Sequence, residues 1–559
     1  MHEIIPALTH VINTSLSTLT FPECWKKAKI IPLLKKGDPL QPKNYRPVSL
    51  LPVLSKILER VVYTQVIEYL DRNGLFHPSH HGSRAGHSTT TALIEMYDQW
   101  LEGIENNEMT AVMMIDLSAA FDLVNHDLFL QKLTTLGFDI NAVTWFWSYL
   151  TGRSQQVYVD GKLSNSLLSL IGTAQGTILG ALIYIIFTVD LPEVVHDIDE
   201  GCTKNNEHSP DESSPSLDNY HASDDQGVSN AQPNLYNQDE IQTQPDTLAE
   251  VDNISNITQT LNPQANYTVK CTNCGNMCCY VDDGTYQFSS SCTEEITNNL
   301  STKYQKLAEY MGNNRLVINH DKTQLVVMGT KKFESKRGEV YVDTGGTKIF
   351  PSESAKLLGL NVHQSLKWGN HLITNSSSLL KILSIRLNGL KYISYTSSFK
   401  TRLMVANACF MSILIQNICI WSGTEDYLLK SIQTMQNKVA KFVTRDVDIY
   451  TPTRTLLRQC GWLSVKQLGF YHSVLLIWNT LRNKKPVYIH SKLLMSNTRS
   501  GANGNLKIPP TRTALASKSF MIKARLFWNQ TPAEIRLCHT LETLKKKLKS
   551  YIIQHISIT

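Results

Sequence analysis

Hydrophobic and polar positions divide this chain into a mixed first two thirds and a helical last third. Met1 to Leu16 reads as an amphipathic helix. Lys29 to Leu34 is an apolar strand running into the turn Lys35-Lys36-Gly37-Asp38, and after a proline-punctuated crossing through Asn44 to Pro52 a helix is expected to start near Ser55. Ser88 or Thr89 caps a further helix. Ala111 to Ile115 is continuously apolar, as a buried strand is, and ends at Asp116; Leu117 to Asp122 and another helix follow. Trp145 to Leu150 is the aromatic end of a helix, and Gln155 to Val159 alternates like a strand before the Asp160-Gly161 turn. Ile178 to Phe187 is the longest apolar run. It is too short to span a bilayer, so it reads as a buried helix and no membrane segment is inferred. Glu294 to Asn313 reads as a helix, Gln324 to Met328 as a strand, and Lys356 to Leu360 with Trp368 as a short β unit. From about Ser376 the pattern is helical, and Gln436 to Phe442 sets Lys438 and Lys441 as a basic face on an apolar stripe.

One stretch organises the rest: Cys279-Tyr280-Val281-Asp282-Asp283-Gly284-Thr285-Tyr286. Apolar residues lead into two adjacent carboxylates, an Asp-Gly pair follows, and a tight β-hairpin with its acids at the turn is predicted. Neighbouring acids repel each other. Either they are a solvated surface turn, or a divalent cation neutralises them, and oxygen ligands of this kind suit magnesium or manganese.

Length and charge narrow the choice. A chain of 559 residues is too long for one core and predicts three or four packed units. Its net charge is only +6, but residues 194–269 hold 14 acidic side chains and one lysine, a net of −13, which leaves +19 on the remainder. The acidic stretch has few aromatics and no sustained period, the composition of a disordered insertion. The basic remainder suits a partner with a phosphate backbone. The 11 cysteines are scattered and the start carries no cleavable signal pattern, so a reducing compartment is expected, cytoplasmic and nuclear.

Other candidates stand apart. Arg46, between Tyr45 and Pro47 in an apolar stretch, needs an anionic partner, and Arg84 after His80-His81-Gly82-Ser83 is a second candidate for holding phosphate. Lys35 and Lys36 are open to a solvated-turn reading. Asp116 ends a buried strand, where sheet edges carry sites, and both it and Asp122 are open to a helix-capping role. Gly172-Thr173-Ala174-Gln175-Gly176 opens the buried helix; glycines there let the backbone approach a ligand and Gln175 bond to it, or they only start the helix. Cys271 and Cys274 with Cys278 and Cys279 have metal-like spacing, although the last two belong to a strand and point to opposite faces. Three glycosylation sequons, at Asn253, Asn256 and Asn266, read as chance.

Together these stretches resemble the reverse transcriptases of non-LTR, LINE-like retrotransposons, in particular the Jockey and CR1-type groups. Asp116 with Phe121 matches the first catalytic block, Gly172 to Gly180 the Gln-Gly block, Tyr280 to Asp283 the Tyr-x-Asp-Asp block and Lys322 the lysine block. Asn44 to Pro52 and Gly82 to Arg84 match the fingers; Trp421, Gln436 to Lys438, Gly461 to Leu463 and Phe527 to Arg536 match the helical region after the polymerase. The resemblance implies an α+β, right-hand polymerase. Fingers and the start of the palm would span 1–110, palm 111–193 and 270–370 around the insertion at 194–269, a helical thumb-like region 371–450, and a helical C-terminal region 451–559.

It also implies an RNA-directed DNA polymerase. Asp116, Asp282 and Asp283 would hold Mg2+ (or Mn2+), and Lys322 would protonate pyrophosphate. Arg84 and Arg46 would bind the triphosphate, Phe121 would exclude a 2′-hydroxyl and Gln175 would align the template. Gly176, Tyr280, Lys438 and Lys441 would contact template and primer. The implied partners are an RNA template, a DNA primer or nicked target DNA, and dNTPs, with a separate endonuclease or element-encoded RNA-binding protein as further candidates.

The chain departs from the family pattern at Ala174 and Ala181, where proline is usual, at Ser83, where phenylalanine is usual, and in its insertion. No endonuclease, ribonuclease H or terminal zinc-knuckle pattern is found, so a truncated reading frame without target cleavage is expected. Two rivals remain at this stage. One is a silent remnant that only binds nucleic acid; the other is a group II intron maturase or telomerase-like polymerase, which would not share the tail from Trp528 to Arg536.

Overall fold

A computed structural model describes residues 4–35, 37–195, 275–392, 397–448, 450–496 and 504–557. The three sequons, Cys271, Cys274, Lys36 and all but the first two residues of the acidic segment lie outside the described residues.

Helix α1 (Ile4–Ser17) precedes strands β1 (Lys27–Leu34) and β2 (Tyr45–Leu50), which pair antiparallel. Helix α2 (Val53–Arg72) follows, and then α3 (Thr89–Glu105). Of the two predicted caps the structure uses Ser88: its hydroxyl accepts the Thr91 N–H while Thr91 Oγ1 accepts the Ser88 N–H, a reciprocal capping box. Strand β3 (Met109–Ile115) leads to helices α4 (His126–Thr135) and α5 (Ile140–Leu150). Strand β4 (Ser154–Val159) adds in parallel to β1, with the short β5 (Lys162–Leu163) and β6 (Leu167–Leu168) alongside β4.

Helices α6 (Ile178–Phe187) and α7 (Leu191–Val195) come next. The stretch Ile178–Val195 is apolar and long enough to cross a membrane, yet 72% of it is buried inside the protein. Strands β7 (Asn276–Tyr280) and β8 (Asp283–Ser290), helix α8 (Thr293–Asn313) and strand β9 (Gln324–Met328) complete a second sheet of order β7-β8-β3-β9, antiparallel throughout.

This four-stranded sheet separates two cores. Ala111, Met113 and Ile115 of β3 join α2, α4, α5, α6 and α8 on one face, while Val112 and Met114 join α3 and the C-terminal helices on the other. Burial on both faces explains why the β3 run is apolar without alternation. Cys278 and Cys279 go to opposite cores, as their adjacency in one strand requires.

After two short ribbons the chain is helical, as its pattern predicts. Length suggests three or four packed units, but the described residues share one, because the last helices bury Trp421, Trp478 and Trp528 in the same core as α3. Polar ties reinforce this packing. Lys492 Nζ lies 2.7 Å from Asp98 Oδ2 and also meets Glu102; Tyr488 donates to Asp98 at 2.8 Å, and Glu105 accepts the N–H groups of Arg512 and Thr513. The Lys492 and Asp98 side chains are only 19% and 14% exposed. Lys492→Met should therefore destabilise the chain by about 3 kcal/mol, the usual cost of stranding one member of a buried pair. Thermal unfolding and limited proteolysis would show it.

Candidate active site

Register builds the site. Ile115 of β3 pairs with Gly284 of β8, so Asp116, one residue past β3, falls opposite Asp283, the first residue of β8. Tyr280 pairs with Asp283, which leaves Val281 and Asp282 as the two-residue turn. The Asp-Gly pair is thus not the turn, as its sequence suggests, but the start of β8. Val281 holds φ +58, a region costly for a β-branched residue, and it persists because the neighbouring loop fixes it. Cys279 N–H donates to Ser79 O and Cys279 O accepts the His81 N–H, both at 2.9 Å. A Cβ on Gly82 would lie 2.7 Å from Val281 Cγ2 and 2.9 Å from its backbone nitrogen.

Arg84 serves that loop. Its Nη1 donates to the carbonyls of His77 and His80, each at 3.0 Å, and its guanidinium stacks 4.8 Å over Phe76. The structure therefore spends Arg84 on bracing the loop against the hairpin and does not bring it into the acidic group. His81 Nε2, 3.1 Å from Glu95, and His80 Nε2, 3.1 Å from Thr188 O, anchor the same loop below.

Two further segments close around Asp116. Asn319 N–H donates to Asp116 O at 2.8 Å and Ser118 N–H to Val317 O, so Lys322 arrives with Nζ 3.3 Å from Asp116 Oδ2. On the other side, Gly172 and Thr173 donate their N–H groups to Val124 O and Phe121 O, and His126 Nε2 meets Gly172 O at 2.8 Å. Gln175 follows: its carbonyl accepts the Ser49 N–H at 2.9 Å, and its Nε2 lies 3.0 and 3.1 Å from the two oxygens of Asp122. Gly176 holds φ +107 beside Ser49. Phe121 packs 5.2 Å from the ring of Tyr184.

Electrostatics ties these parts together. Burial and the nearby Asp116 raise the Asp282 carboxyl, while Arg46 and Lys35 at the tip of the β1–β2 hairpin pull it back. Burial, Asp282 and Asp116 push Asp283 up to about 6. Tyr184, beneath them, is raised by burial and then by Asp282. The donor set is oxygen only, which fits a hard divalent cation. Among the described residues, however, no three His, Cys, Asp or Glu side chains are already gathered to hold one. Lys322 sits where Asp116 would meet such an ion.

Of the remaining predicted residues, Tyr280 flanks the turn, while Lys438 and Lys441 fall elsewhere. Tyr280 packs on the core shared with the C-terminal helices. Lys438 and Lys441 lie on the helix Asp426–Thr444; Lys438 is exposed and Lys441 donates to Asp448 O at 2.7 Å. Sequence reasoning missed Tyr184, although it is the single hydroxyl in Ile178 to Phe187, and it underweighted Lys35, whose charge reaches both Asp282 and Asp122.

A strand-end aspartate thus faces an Asp-Asp hairpin with a Gln-Gly loop beside it, in a fold that mixes helices and sheets. Residues 33–204 match the family described as reverse transcriptase (RNA-dependent DNA polymerase). The chain is 24% identical over 481 residues to a probable RNA-directed DNA polymerase from transposon BS of Drosophila melanogaster, covering 84% of this chain and 45% of that protein. It is 34% identical over 196 residues to the RNA-directed DNA polymerase from mobile element jockey of the same fly, 34% of this chain and 21% of that one. A telomerase from Candida tropicalis superposes on the whole chain and 68% of its own at 10% identity and a TM-score of 0.38. The matched segment is thus similar to reverse transcriptases, the fly relatives among them coming from mobile elements, and the chain spans less than half the length of these two relatives.

The raised carboxyls predict a pH signature. An acid whose pKa is higher in the folded than in the unfolded state binds more protons when folded, so its contribution to stability is lost as pH rises from about 4 through about 6. Asp283→Asn should remove that loss. The metal-free variant should melt higher than the parent at pH 7.5 and equal to it at pH 4.5, as differential scanning fluorimetry would show.

Proposed function

We propose that the chain is an RNA-directed DNA polymerase that copies RNA into cDNA. The observation that carries this reading is the β3–β8 register, which sets Asp116 opposite Asp283 and beside Asp282, with Gln175 on the adjoining loop. In polymerase terms, β1 and β2 would belong to the fingers, the four-stranded sheet to the palm and residues 371–450 to the thumb, with 451–559 as the C-terminal region. The substrates are an RNA template, a DNA primer or nicked target DNA, and dNTPs; the expected locations are cytoplasm and nucleus.

Asp116, Asp282 and Asp283 would hold magnesium, with manganese as an alternative. When bound, such ions lower the charge barrier at the primer 3′-hydroxyl and the triphosphate. The chain's own residues do the rest. Arg46 and Lys35, whose charge already reaches Asp282, receive the triphosphate. Lys322, released from Asp116, protonates the departing pyrophosphate. Phe121, held by Tyr184, presses on the sugar, and Gln175 with Gly176 faces the template. Arg84 acts indirectly, through the hairpin that its loop braces. Lys438 and Lys441, on the helix Asp426–Thr444, guide the duplex.

Primer extension on an RNA template with dNTPs and magnesium tests the reading. Asp282→Asn should lose about 10³-fold or more of the rate, since several kcal/mol of charge stabilisation goes with it. No extension by a folded chain that still binds primer and template contradicts it. Phe121→Ala should raise ribonucleotide incorporation, and unchanged sugar selectivity would remove that role from Phe121.

A further inference from the structure

We propose that Glu59 is a positioning residue for nucleotide addition: its buried carboxylate takes the first N–H groups of α6 and so clamps the Gln-Gly loop to helix α2. The inference rests on the polymerase reading above, and it deepens that reading by naming what holds the loop beside the Asp116 segment.

The clamp joins three elements. Glu59 lies on α2 and is 0% exposed. Its Oε2 accepts the Ile178 N–H at 2.7 Å and the Leu179 N–H at 3.4 Å, and Thr177 Oγ1 accepts the Gly180 N–H at 3.0 Å. The first N–H groups of a helix have no partner within it and make a ready anion site. Here the chain supplies the anion itself, so this helix end holds its own loop and not a ligand. The third element is Arg153, next to β4, whose guanidinium stacks 4.1 Å over Tyr149. Its Nη1 and Nη2 are buried, as Glu59 Oε1 is, and none of the three makes a hydrogen bond among the described residues. Burial raises the Glu59 carboxyl, while the two N–H bonds and then the charge of Arg153 pull it back. Arg153 thus offsets the charge without taking the oxygen that serves α6.

A second hold lies close by. Gln175 O accepts the Ser49 N–H of β2 at 2.9 Å. Gly176, at φ +107, and Thr177 are the two residues between the holds, and a Cβ on Gly176 would lie 3.2 Å from Ser49 O. At its other end the loop is tied to the segment that follows Asp116, since Gly172 and Thr173 donate their N–H groups to Val124 O and Phe121 O. The loop is therefore suspended between the chain that carries Asp116 and the chain that carries Glu59. Removing the Glu59 acceptor frees one end, and a small misplacement near reacting groups slows a reaction more than it weakens binding.

Three variants of the full chain test this. Glu59→Leu removes the acceptor, and Glu59→Gln keeps a carbonyl oxygen for the Ile178 N–H. Glu59→Leu with Arg153→Met removes both buried charges, an exchange that folded proteins tolerate, and it carries the test where Glu59→Leu alone unfolds. Each is assayed for single-nucleotide addition on an RNA template with dNTPs and magnesium, for primer–template affinity, and by hydrogen exchange over the peptide from Gln175 to Leu182. Glu59→Leu should lower kcat about 10- to 100-fold with affinity within about 2-fold of the parent, and speed exchange at the start of α6 about 10-fold. Glu59→Gln should recover most of kcat. The double variant should stay as slow as Glu59→Leu, because it still lacks the acceptor although no charge is stranded.

A merely structural role for Glu59 would lower the melting temperature and leave kcat of the folded chain unchanged, and that result overturns the proposal. So does a double variant with parental kcat, which would confine Glu59 to balancing Arg153, or a Glu59→Gln chain as slow as Glu59→Leu. A parent chain that extends no primer overturns the polymerase reading, and the clamp then stands if exchange quickens at α6 and falls if it does not.

Discussion

The site depends on one pairing, Ile115 of β3 against Gly284 of β8. A slip of one residue would turn every β3 side chain to the other face, and both faces are packed, so the core fixes the register more firmly than any local preference does. That pairing forces Asp116, Asp282 and Asp283 to one end of the sheet, where they repel one another. Burial first and this repulsion second raise the Asp282 and Asp283 carboxyls above their ordinary values, and Val281 is held at positive φ. Strain and repulsion of this kind persist when the surrounding structure over-determines them. Here the surrounding structure is the 79–84 loop on one side and the core beneath Tyr184 on the other.

The outlying parts of the chain act on this arrangement through contacts rather than through chemistry. Arg84 gathers the carbonyls of its own loop so that Gly82 can lie against Val281. The C-terminal helices clamp α3 through Lys492 and the Glu105 contacts, and α3 carries Glu95, which meets His81 of the same loop. The β1–β2 hairpin is fastened by Ser49 to Gln175, which places Arg46 and Lys35 where their charge offsets that of Asp282. Distant segments thus share one task, holding three acids where water alone would let them separate.

Much of this was legible in the sequence, for reasons that can be stated. The apolar run ending at Asp116 reads as a buried strand because it is one, and Ile178 to Phe187 reads as a core helix because its length suits neither a membrane nor a surface. The hairpin with its acids at the turn was legible, but which two residues form the turn was not. Asp283-Gly284 is a strong local turn signal, yet the loop carrying Gly82 shifts the turn to Val281-Asp282, and no local propensity reports that contact. Arg84 was misjudged for a similar reason, since an arginine in an apolar loop looks the same in sequence whether phosphate or its own carbonyls surround it. Gln175 stood out between glycines, but its partner Asp122 lies 53 residues earlier and only the fold joins them. The acidic segment lies outside the described residues, and its reading rests on composition alone.

The most direct test of the central claim is the binding of Mn2+ to the purified chain without nucleic acid, followed by electron paramagnetic resonance at pH 7.5 and again near pH 5. If the three acids form one oxygen site strained by their own charge, the parent chain binds the ion, binding weakens at the lower pH as Asp283 takes up a proton, and Asp116→Asn and Asp282→Asn each abolish it. Binding that survives both substitutions unchanged, or that is indifferent to pH across this range, would contradict the account.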